Sequence, residues 1–225
     1  YSGTTENITS QFAAPLLDAV HAAAGDDLLD VACGTGAVSV EAAGRRARVT
    51  ALDYSTNMLS ELRRRLDEAT TTNVDAVQGD AGHLQFGDAV FTNEVSNFGV
   101  IFCPDVFAAI SEMRRVVRPG GRVGLTAWTR PSEHLWTAYL PVDAEDRLGF
   151  ELESAPHYRW QSPKELRAEL ERAGLTDVQV ELHIAEGPVV RDAAVFRSFV
   201  TRSPIIRASH RDLDDDQFNR LCDLA

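Results

Sequence analysis

The sequence predicts an α/β fold: a doubly wound, mostly parallel sheet with helices on both faces and an added helical or irregular cap. Short β-branched apolar segments alternate with amphipathic segments over residues 7–128, which is typical of a parallel sheet covered on both faces. A glycine-containing turn follows the first apolar segment, and the second ends at an aspartate. Because ligands of such folds bind at the carboxyl ends of the strands, we expect the functional site at that edge.

The amino-terminal elements are predicted from periodicity and stop signals. Runs of apolar, often β-branched residues indicate strands, and apolar residues recurring every three or four positions indicate helices. Glycines such as Gly25 end helices. Arg63, Arg64 and Arg65 are interpreted as the solvated face of their helix. In chain order the predicted elements are a helix at 7–24, a strand at 28–33, a helix at 37–46, a strand at 47–53, a helix at 55–69, a strand at 74–81, a helix from 104, a Pro-Gly-Gly turn and a strand ending near 128.

The fourth strand has two competing interpretations. Either "DAVFT" at 88–92 is the strand and residues 93–99 form a long exit loop, or the strand is "VFTNEVSNF" with Asn93 and Glu94 inside it. Burying Glu94 without a partner would cost several kcal/mol, which favours the first interpretation. The sequence leaves the register of this strand open.

The carboxyl-terminal part is predicted in four segments. The aromatic-rich stretch at 129–161 is typical of an irregular excursion that caps a pocket. A capping pattern that begins at Ser162 predicts a helix over 162–175, and alternating apolar residues predict a further strand at 176–187. The tail, 191–225, is predicted to be helical, with its acidic run as a solvated helix start.

Composition limits the possible functions. The 225 residues are 44% hydrophobic and carry 22 basic and 34 acidic side chains, a net charge of −12. This charge opposes attraction to phosphate backbones and anionic membranes, so we expect neither nucleic acid nor a membrane as partner.

The three cysteines are too scattered for a disulfide framework or a zinc site. No apolar run predicts a membrane span or a leader. We therefore expect a cytoplasmic protein without a metal.

Gly34 and Gly36 lie in the turn between the first strand and the helix that follows. The missing side chains let a ligand lie against the backbone, and the helix N-terminus offers free N–H groups. A tight turn without a ligand is the alternative. Ser39 stands where the third glycine of the dinucleotide-binding motif belongs, which disfavours NAD or FAD.

Two aspartates at strand ends indicate a nucleoside. The carboxylate of Asp53 can accept hydrogen bonds from both hydroxyls of a ribose, although it can equally cap the helix that follows. Asp80, with the backbone N–H of Ala81, can bind the exocyclic amine and a ring nitrogen of adenine. Together with the glycine turn, these residues indicate an adenosine-based ligand without a diphosphate.

Five motifs occur together in one order: "LLDVACGTG" (28–36), "ALDYSTNML" (51–59), "GDAGHLQF" (79–86), "SNFGVIFCPD" (96–105) and "RRVVRPGGRVGLTAW" (114–128). As a set they resemble class I S-adenosylmethionine-dependent methyltransferases, in the branch similar to the ubiquinone and menaquinone biosynthesis enzymes. The resemblance implies a Rossmann-like fold, S-adenosylmethionine as cofactor and S-adenosylhomocysteine as product. The resemblance covers about residues 7–128. Length and composition predict a single domain over 1–225, and the pattern of elements divides it into a cofactor-binding core at 7–128, a cap or acceptor-side excursion at 129–161, a helix and strand completing the sheet at 162–190, and a helical tail at 191–225.

The resemblance also implies a role for each matching residue. Ala32 replaces a glycine of many relatives. The segment "VFTNEV" at 90–95 replaces an apolar strand that begins with an acid, a departure at the floor of the methyl-transfer site. The implied contacts are Asp30, Ala32, Cys33, Gly34 and Gly36 with the methionine end of the cofactor, Asp53 with the ribose, Tyr54 and Met58 with the adenine face, Asp80 and Ala81 with the adenine edge, and Asn97 and Phe98 near the sulfonium.

Methyl transfer from a sulfonium depends mainly on holding the acceptor in line with the leaving sulfur. Where the acceptor is a hydroxyl or a carbon acid, a base helps, and His134 is the candidate because it follows the fifth strand closely. An exposed loop histidine is the alternative, and His83, His157 and Glu94 are weaker candidates. Aromatic residues that could build an apolar acceptor pocket are Trp128, Trp136, Tyr139, Tyr158 and Trp160. Core packing explains Trp128 at least as well.

The main hypothesis is an S-adenosylmethionine-dependent transferase of methyl groups to a small molecule, with O-, N- or C-methylation undetermined. A second hypothesis is a cofactor-binding protein of the same fold that catalyses a cyclisation or rearrangement, which the unusual "FTNEV" motivates. A third is a non-catalytic binding protein, against which the complete set of Gly34, Gly36, Asp53 and Asp80 argues. A dehydrogenase would have to bind its dinucleotide although Ser39 stands where the motif has a glycine. It would also need a substrate domain of its own.

Overall fold

The computed structural model describes residues 3–128, 147–149, 160, 162–183 and 213–224. The strands in these ranges are β1 (Asp27–Val31), β2 (Arg48–Asp53), β3 (Val74–Gln78), β4 (Phe91–Asn97) and β5 (Val117–Thr126). The α-helices are α1 (Gly3–Thr9), α2 (Ala13–Ala19), α3 (Ala37–Gly44), α4 (Thr56–Glu68), α5 (Val106–Val116), α6 (Pro163–Arg172) and α7 (Asp215–Leu224). Short 3-10 turns lie at Ser10–Phe12 and Val100–Phe102.

The strands form one parallel sheet in the order β3-β2-β1-β4-β5. This order confirms the predicted doubly wound fold. It reverses between β1 and β4, so the carboxyl ends of these two strands flank the topological switch point, where ligands bind in such sheets. Most of the predicted cap at 129–161 lies outside the described residues.

Helices cover both faces of the sheet. α2 and α3 pack on one face against Leu28, Val49 and Val95, and α4 covers the neighbouring Ala51. α5 packs on the opposite face, against Leu29 among others. Successive residues of a strand point to opposite faces, which is why Leu28 and Leu29 belong to different cores. α6 adds a third apolar cluster beside α5. Within the described residues, no helix combines the length and apolarity that a membrane crossing requires.

The predicted helix over 7–24 is wrong as a single element, because α1 and α2 are separated by a 3-10 turn. Pro15 lies in the first turn of α2. Proline has no N–H to donate and its ring clashes with the carbonyl four residues earlier, so one helix cannot continue through it. α2 also stops ahead of Gly25, at a turn in which His21 has a φ of 55°.

β4 contains the residues that the favoured interpretation placed in an exit loop. The strand runs through Asn93 and Glu94, so the alternative with both residues inside the strand is the right one. Asn93 is satisfied by Asp26 and by the backbone N of Arg122. Glu94 is fully buried, and burial raises its pKa to about 9. The carboxyl group is therefore neutral at pH 7, which removes the charge term that made its burial look prohibitive.

The carboxyl-terminal predictions hold only in part. The predicted helix at 162–175 is confirmed as α6, and Ser162 caps it as expected. The predicted strand at 176–187 is wrong over residues 176–183, which form no strand. In the described part of the sheet β5 bonds only to β4, and an alternating pattern without a paired neighbour does not make a strand. The helical tail is confirmed where α7 begins, just after Asp214, whose side chain caps it.

Candidate functional site

The glycine turn connects β1 to α3 and has the backbone conformation that glycine favours. Gly34 has a φ of 57° and Gly36 a φ of 87°. A Cβ on Gly36 would clash with Leu62 of α4, whereas a Cβ on Gly34 would meet nothing within 4 Å. Gly36 is therefore required by the packing of α4 as well as by its φ. The open space over Gly34 is where a ligand can approach the backbone.

Asp53, at the end of β2, is hydrogen-bonded to the glycine turn. Its Oδ2 accepts from the backbone N of Gly34 at 2.8 Å, and its Oδ1 accepts from the backbone N of Ser55 at 2.8 Å. The N-cap of α4 is Ser55, which accepts from the backbone N of Met58, so Asp53 is not that cap. Each carboxylate oxygen keeps a further lone pair for a ligand hydroxyl. Asp53 stays the predicted ribose ligand.

Asp30, the fourth residue of β1, is buried with one oxygen unsatisfied. Ser39 Oγ donates to Asp30 Oδ2 at 2.6 Å, while Oδ1 has no hydrogen-bond partner among the described residues. Burial, with the negative charge of Asp53 as a smaller cause, raises the pKa of Asp30 to about 7. The serine that breaks the dinucleotide motif is thus the partner of this acid. An orphan buried acceptor beside the turn fits a ligand that brings a donor.

Asp80 follows β3 and lies at the surface. Its Oδ1 accepts from the backbone N of Gly82 at 2.8 Å, which fixes the orientation of the carboxylate. The backbone N–H of Ala81 has no acceptor in the part of the chain that the structure describes. This pair offers one acceptor and one donor side by side, as the edge of an adenine requires. Tyr54 is 79% exposed, and Met58 is half-buried.

Asn97 and Phe98 end β4 with different roles. Asn97 Nδ2 donates to the carbonyl of Thr9 at 2.9 Å, and its Oδ1 accepts from Thr126 Oγ1 at 2.8 Å. Both ends of this amide bind the protein, so Asn97 braces α1 against the strand ends. Phe98 stacks on Trp128 with ring centroids 4.1 Å apart, and Phe12 and Phe98 form a T-shaped pair with centroids 5.1 Å apart. These three rings, Phe12, Phe98 and Trp128, are called the aromatic wall below.

The turn and the end of β4 are in direct contact. Ser96 Oγ donates to the carbonyl of Val31 at 2.8 Å. A Cβ on Gly99 would lie 2.5 Å from the Cβ of Ala32, so only glycine fits there. Ala32 itself has a φ of 54°, and Phe98 a φ of 57°, both in the left-handed region that disfavours side chains. The alanine that replaces a glycine therefore carries backbone strain next to the switch point.

Three residues at this edge were missed by sequence reasoning. Glu6 of α1 accepts a hydrogen bond from Thr35 Oγ1 at 3.2 Å and forms an ion pair with Arg65 of α4. Interpreting Arg65 as part of a solvated face was wrong, because its side chain is only 32% exposed. The pair joins residues 59 positions apart in the chain, and no local pattern signals it.

The two described thiols at this edge are not nucleophiles at pH 7. Burial, with the charges of Asp30 and Asp53, raises the pKa of Cys33 well above its usual range. Burial, with the charges of Asp80 and Asp53, raises the pKa of Cys103 to about 11. Both are free thiols. Among the described residues, no three metal-binding side chains come together.

The described candidates for catalysis and for the acceptor pocket lie in different places. Glu94 points to the α5 face, since it pairs with Leu29 in register, and His83 is exposed. Trp160, a predicted pocket residue, is buried in the cluster between α5 and α6, where its Nε1 donates to Glu169 at 2.5 Å. The remaining candidates lie outside the described residues: His134, Trp136, Tyr139, His157 and Tyr158.

A cleft of about 630 Å³ opens beside the glycine turn. Its lining includes Gly36, Glu6 and Arg65 but neither Asp53 nor Asp80. The groups that fit a nucleoside converge at the carboxyl edge, not in this cleft. We therefore assign the candidate site to that edge.

Comparison with known proteins agrees with this geometry. A family model described as a methyltransferase domain matches residues 28–121. A demethylmenaquinone methyltransferase of Mycolicibacterium vanbaalenii is 34% identical over 176 residues, which cover 72% of this chain and 73% of that protein. Demethylmenaquinone methyltransferases of Listeria, such as that of Listeria welshimeri, are 36% identical over 50% of this chain, and the chain spans about half their length.

Solved structures share the fold. A SAM-dependent methyltransferase from Aquifex aeolicus matches with a TM-score of 0.56 and 17% identity, over 72% of this chain and 78% of that one. The cyclase SpnF matches with a TM-score of 0.59 and 21% identity, over 73% of this chain and 56% of that one. At these identities the likeness concerns the fold alone.

Proposed function

Because this chain belongs to the family of S-adenosylmethionine-dependent methyltransferases, we propose that it transfers the methyl group of that cofactor to a small-molecule acceptor. The observation that carries the proposal is the hydrogen bond from the backbone N of Gly34 to Asp53, which links the glycine turn after β1 to the end of β2. Asp30, one residue before the end of β1, adds an orphan oxygen. Acids from two strands thus surround an open backbone.

The residues at the edge fit the cofactor. We assign the ribose to Asp53, the adenine edge to Asp80 and Ala81, and the adenine face to Tyr54 and Met58. The orphan Oδ1 of Asp30 would accept from the amino group of the methionine end, a donor that its burial otherwise denies it. The bound cofactor would supply an electrophilic methyl group.

The residues of the chain contribute to the reaction by positioning the acceptor. We assign the acceptor's apolar contact to Phe12 and Trp128, the half-buried rings of the aromatic wall; the buried ring of Phe98 holds them in place. Asn97 holds that surface by binding α1 and β5 at once. Holding the acceptor in line can supply most of the rate enhancement for a displacement of this kind. A general base at His134 stays a prediction.

We infer that the acceptor is flat and largely apolar. The half-buried rings of Phe12 and Trp128 support this, since an aromatic ring favours a flat apolar partner. Demethylmenaquinone, in the names of the relatives, belongs to this class.

The cyclisation hypothesis draws no support from "FTNEV", because Glu94 lies on the α5 face. The free thiols of Cys33 and Cys103 support the cytoplasmic setting.

The test is isothermal titration with S-adenosylmethionine, S-adenosylhomocysteine and NAD in turn. We expect micromolar binding of the first two and none of NAD. An acceptor screen read by the mass shift of one methyl group would follow. Binding of NAD alone would overturn the proposal, and so would a product formed without consumption of the cofactor.

A further inference from the structure

The short helix α1 bridges the two strand ends at the switch point. At its middle, Glu6 accepts a hydrogen bond from Thr35 in the turn after β1. At its end, the carbonyl of Thr9 accepts from Asn97 at the end of β4. The sheet order reverses between these two strands. α1 therefore lies across the place where ligands bind in such sheets.

The anchor at Glu6 is a two-pronged, partly buried ion pair with Arg65 of α4. Arg65 donates from both terminal nitrogens to the two oxygens of Glu6, with Nη2 2.9 Å from Oε2. The side chains are 32% and 16% exposed. The hydrogen bond from Arg65 is the largest cause that lowers the pKa of Glu6, so the pair is ionised at neutral pH. A two-pronged, partly buried pair fixes geometry more firmly than a surface pair does.

The neighbouring arginine shows the contrast. Arg64 binds Glu61 and Glu68, both on its own helix, and its side chain is 54% exposed. Among the described residues, its hydrogen bonds and ion pairs go to these two glutamates and not to α1. Pairs of this kind contribute little to stability. Arg64 and Arg65 share a helix, a residue type and a charge, but only Arg65 forms an ion pair with α1 among the described residues.

We propose that Glu6 and Arg65 are positioning residues of the cofactor site: their ion pair holds α1 across the switch point and keeps Thr35 in the glycine turn. The proposal rests on the proposed function. Without the pair, α1 is held at this edge by the bond from Asn97 to Thr9, and Thr35 loses the orientation of its acceptor. The site then opens more often, and a bound cofactor leaves faster.

The test compares Arg65→Ala with Arg64→Ala as the matched control. We expect Arg65→Ala to raise the Kd for S-adenosylmethionine about tenfold, the effect of losing one charged contact, mainly through faster dissociation. Arg64→Ala should stay within about twofold. Arg65→Lys, which keeps the charge but not the two-pronged contact, should lie between them. Titration calorimetry and stopped-flow dissociation measure these values.

Hydrogen exchange separates positioning from general stability. In the empty protein, amides of α1 and the 3-10 turn after it should exchange faster in Arg65→Ala than in Arg64→Ala, while those of β1 and β4 stay unchanged. A lower Tm with Kd and α1 exchange equal to the control would overturn the inference. If the wild-type protein did not bind S-adenosylmethionine, that result would instead overturn the proposed function, and this inference with it.

Discussion

At the scale of single residues, the structure removes the alternative that the sequence left open for Asp53, a cap of the helix that follows. Asp53 is not the cap of α4, yet its carboxylate orders both the turn at Gly34 and the backbone at Ser55. A carboxylate fixed by two N–H groups presents its remaining lone pairs in one direction. Its ribose contact would then be preorganised by the protein.

Replacing Asp53 tests that contact. Asp53→Ala should weaken the binding of S-adenosylmethionine by about 1.5 to 3 kcal/mol, the usual effect of losing charged hydrogen bonds. Asp67→Ala, which removes an exposed carboxylate from α4, is the control. Calorimetry measures both, and circular dichroism checks that the fold is kept. Unchanged affinity in Asp53→Ala would overturn the ribose assignment.

Ala32 carries strain that a smaller residue would relieve. Its φ of 54° costs a non-glycine residue about 1 kcal/mol, and part of the gain from glycine is offset by the entropy of the unfolded chain. Ala32→Gly should therefore stabilise the protein by roughly 0.5 kcal/mol, as urea unfolding would measure. Ala42→Gly, at a buried position inside α3, should destabilise by more than the ~1 kcal/mol of helix propensity, because it also removes a packed methyl group. A loss of stability in Ala32→Gly would contradict the strain.

At the scale of elements, β4 shows where pattern reasoning fails. The alternation and the strand-ending aspartates predicted β1, β2 and β3 close to their observed bounds, because those signals are local. The prediction for β4 was wrong because it assumed that Glu94 would be buried in its charged form. A neutral carboxyl group costs less to bury, and its protonation depends on surroundings that no local pattern contains.

The burial of Glu94 predicts the pH dependence of stability. Its pKa is 4.5 in the unfolded chain and about 9 in the folded protein, so the folded state binds the proton more tightly. The free energy of unfolding should therefore fall as pH rises from about 5 to 9. Asp30, raised from 3.8 to about 7, acts in the same direction but only below about pH 7.

Urea unfolding between about pH 7 and pH 9 isolates Glu94 from Asp30. Glu94→Gln, which cannot ionise, should flatten the decline in that interval, whereas Glu68→Gln at the surface should leave it unchanged. The charges of Arg115 and Glu112 on α5 also act on the pKa of Glu94, and both variants keep them. An equally steep decline in Glu94→Gln would show that another group titrates.

At the scale of the whole molecule, the proposed cofactor site joins five separate parts of the chain. Its parts come from α1, the turn after β1, the ends of β2 and β3, and the end of β4. Ligand binding to such a site stabilises the entire fold, because the unfolded chain has no site. S-adenosylmethionine at 100 times its Kd should add about 2.7 kcal/mol to the free energy of unfolding.

Thermal unfolding with and without ligand measures that stabilisation. The midpoint should rise with S-adenosylmethionine or S-adenosylhomocysteine and stay constant with NAD. The same scan of Asp53→Ala should show a smaller rise at equal ligand concentration, since its Kd is higher. A rise with NAD but not with S-adenosylmethionine would contradict the family's cofactor for this chain.

The sequence by itself determined the order of strands and helices up to residue 128, the glycine turn and the positions of Asp53 and Asp80. These follow from periodicity and turn chemistry, which operate over a few neighbouring residues. Only the tertiary structure decided that Glu6 meets Arg65, that Asn97 meets Thr9 and that Glu94 is buried. The first two contacts join residues 59 and 88 positions apart, and such pairings arise from how the packed layers bring distant segments together.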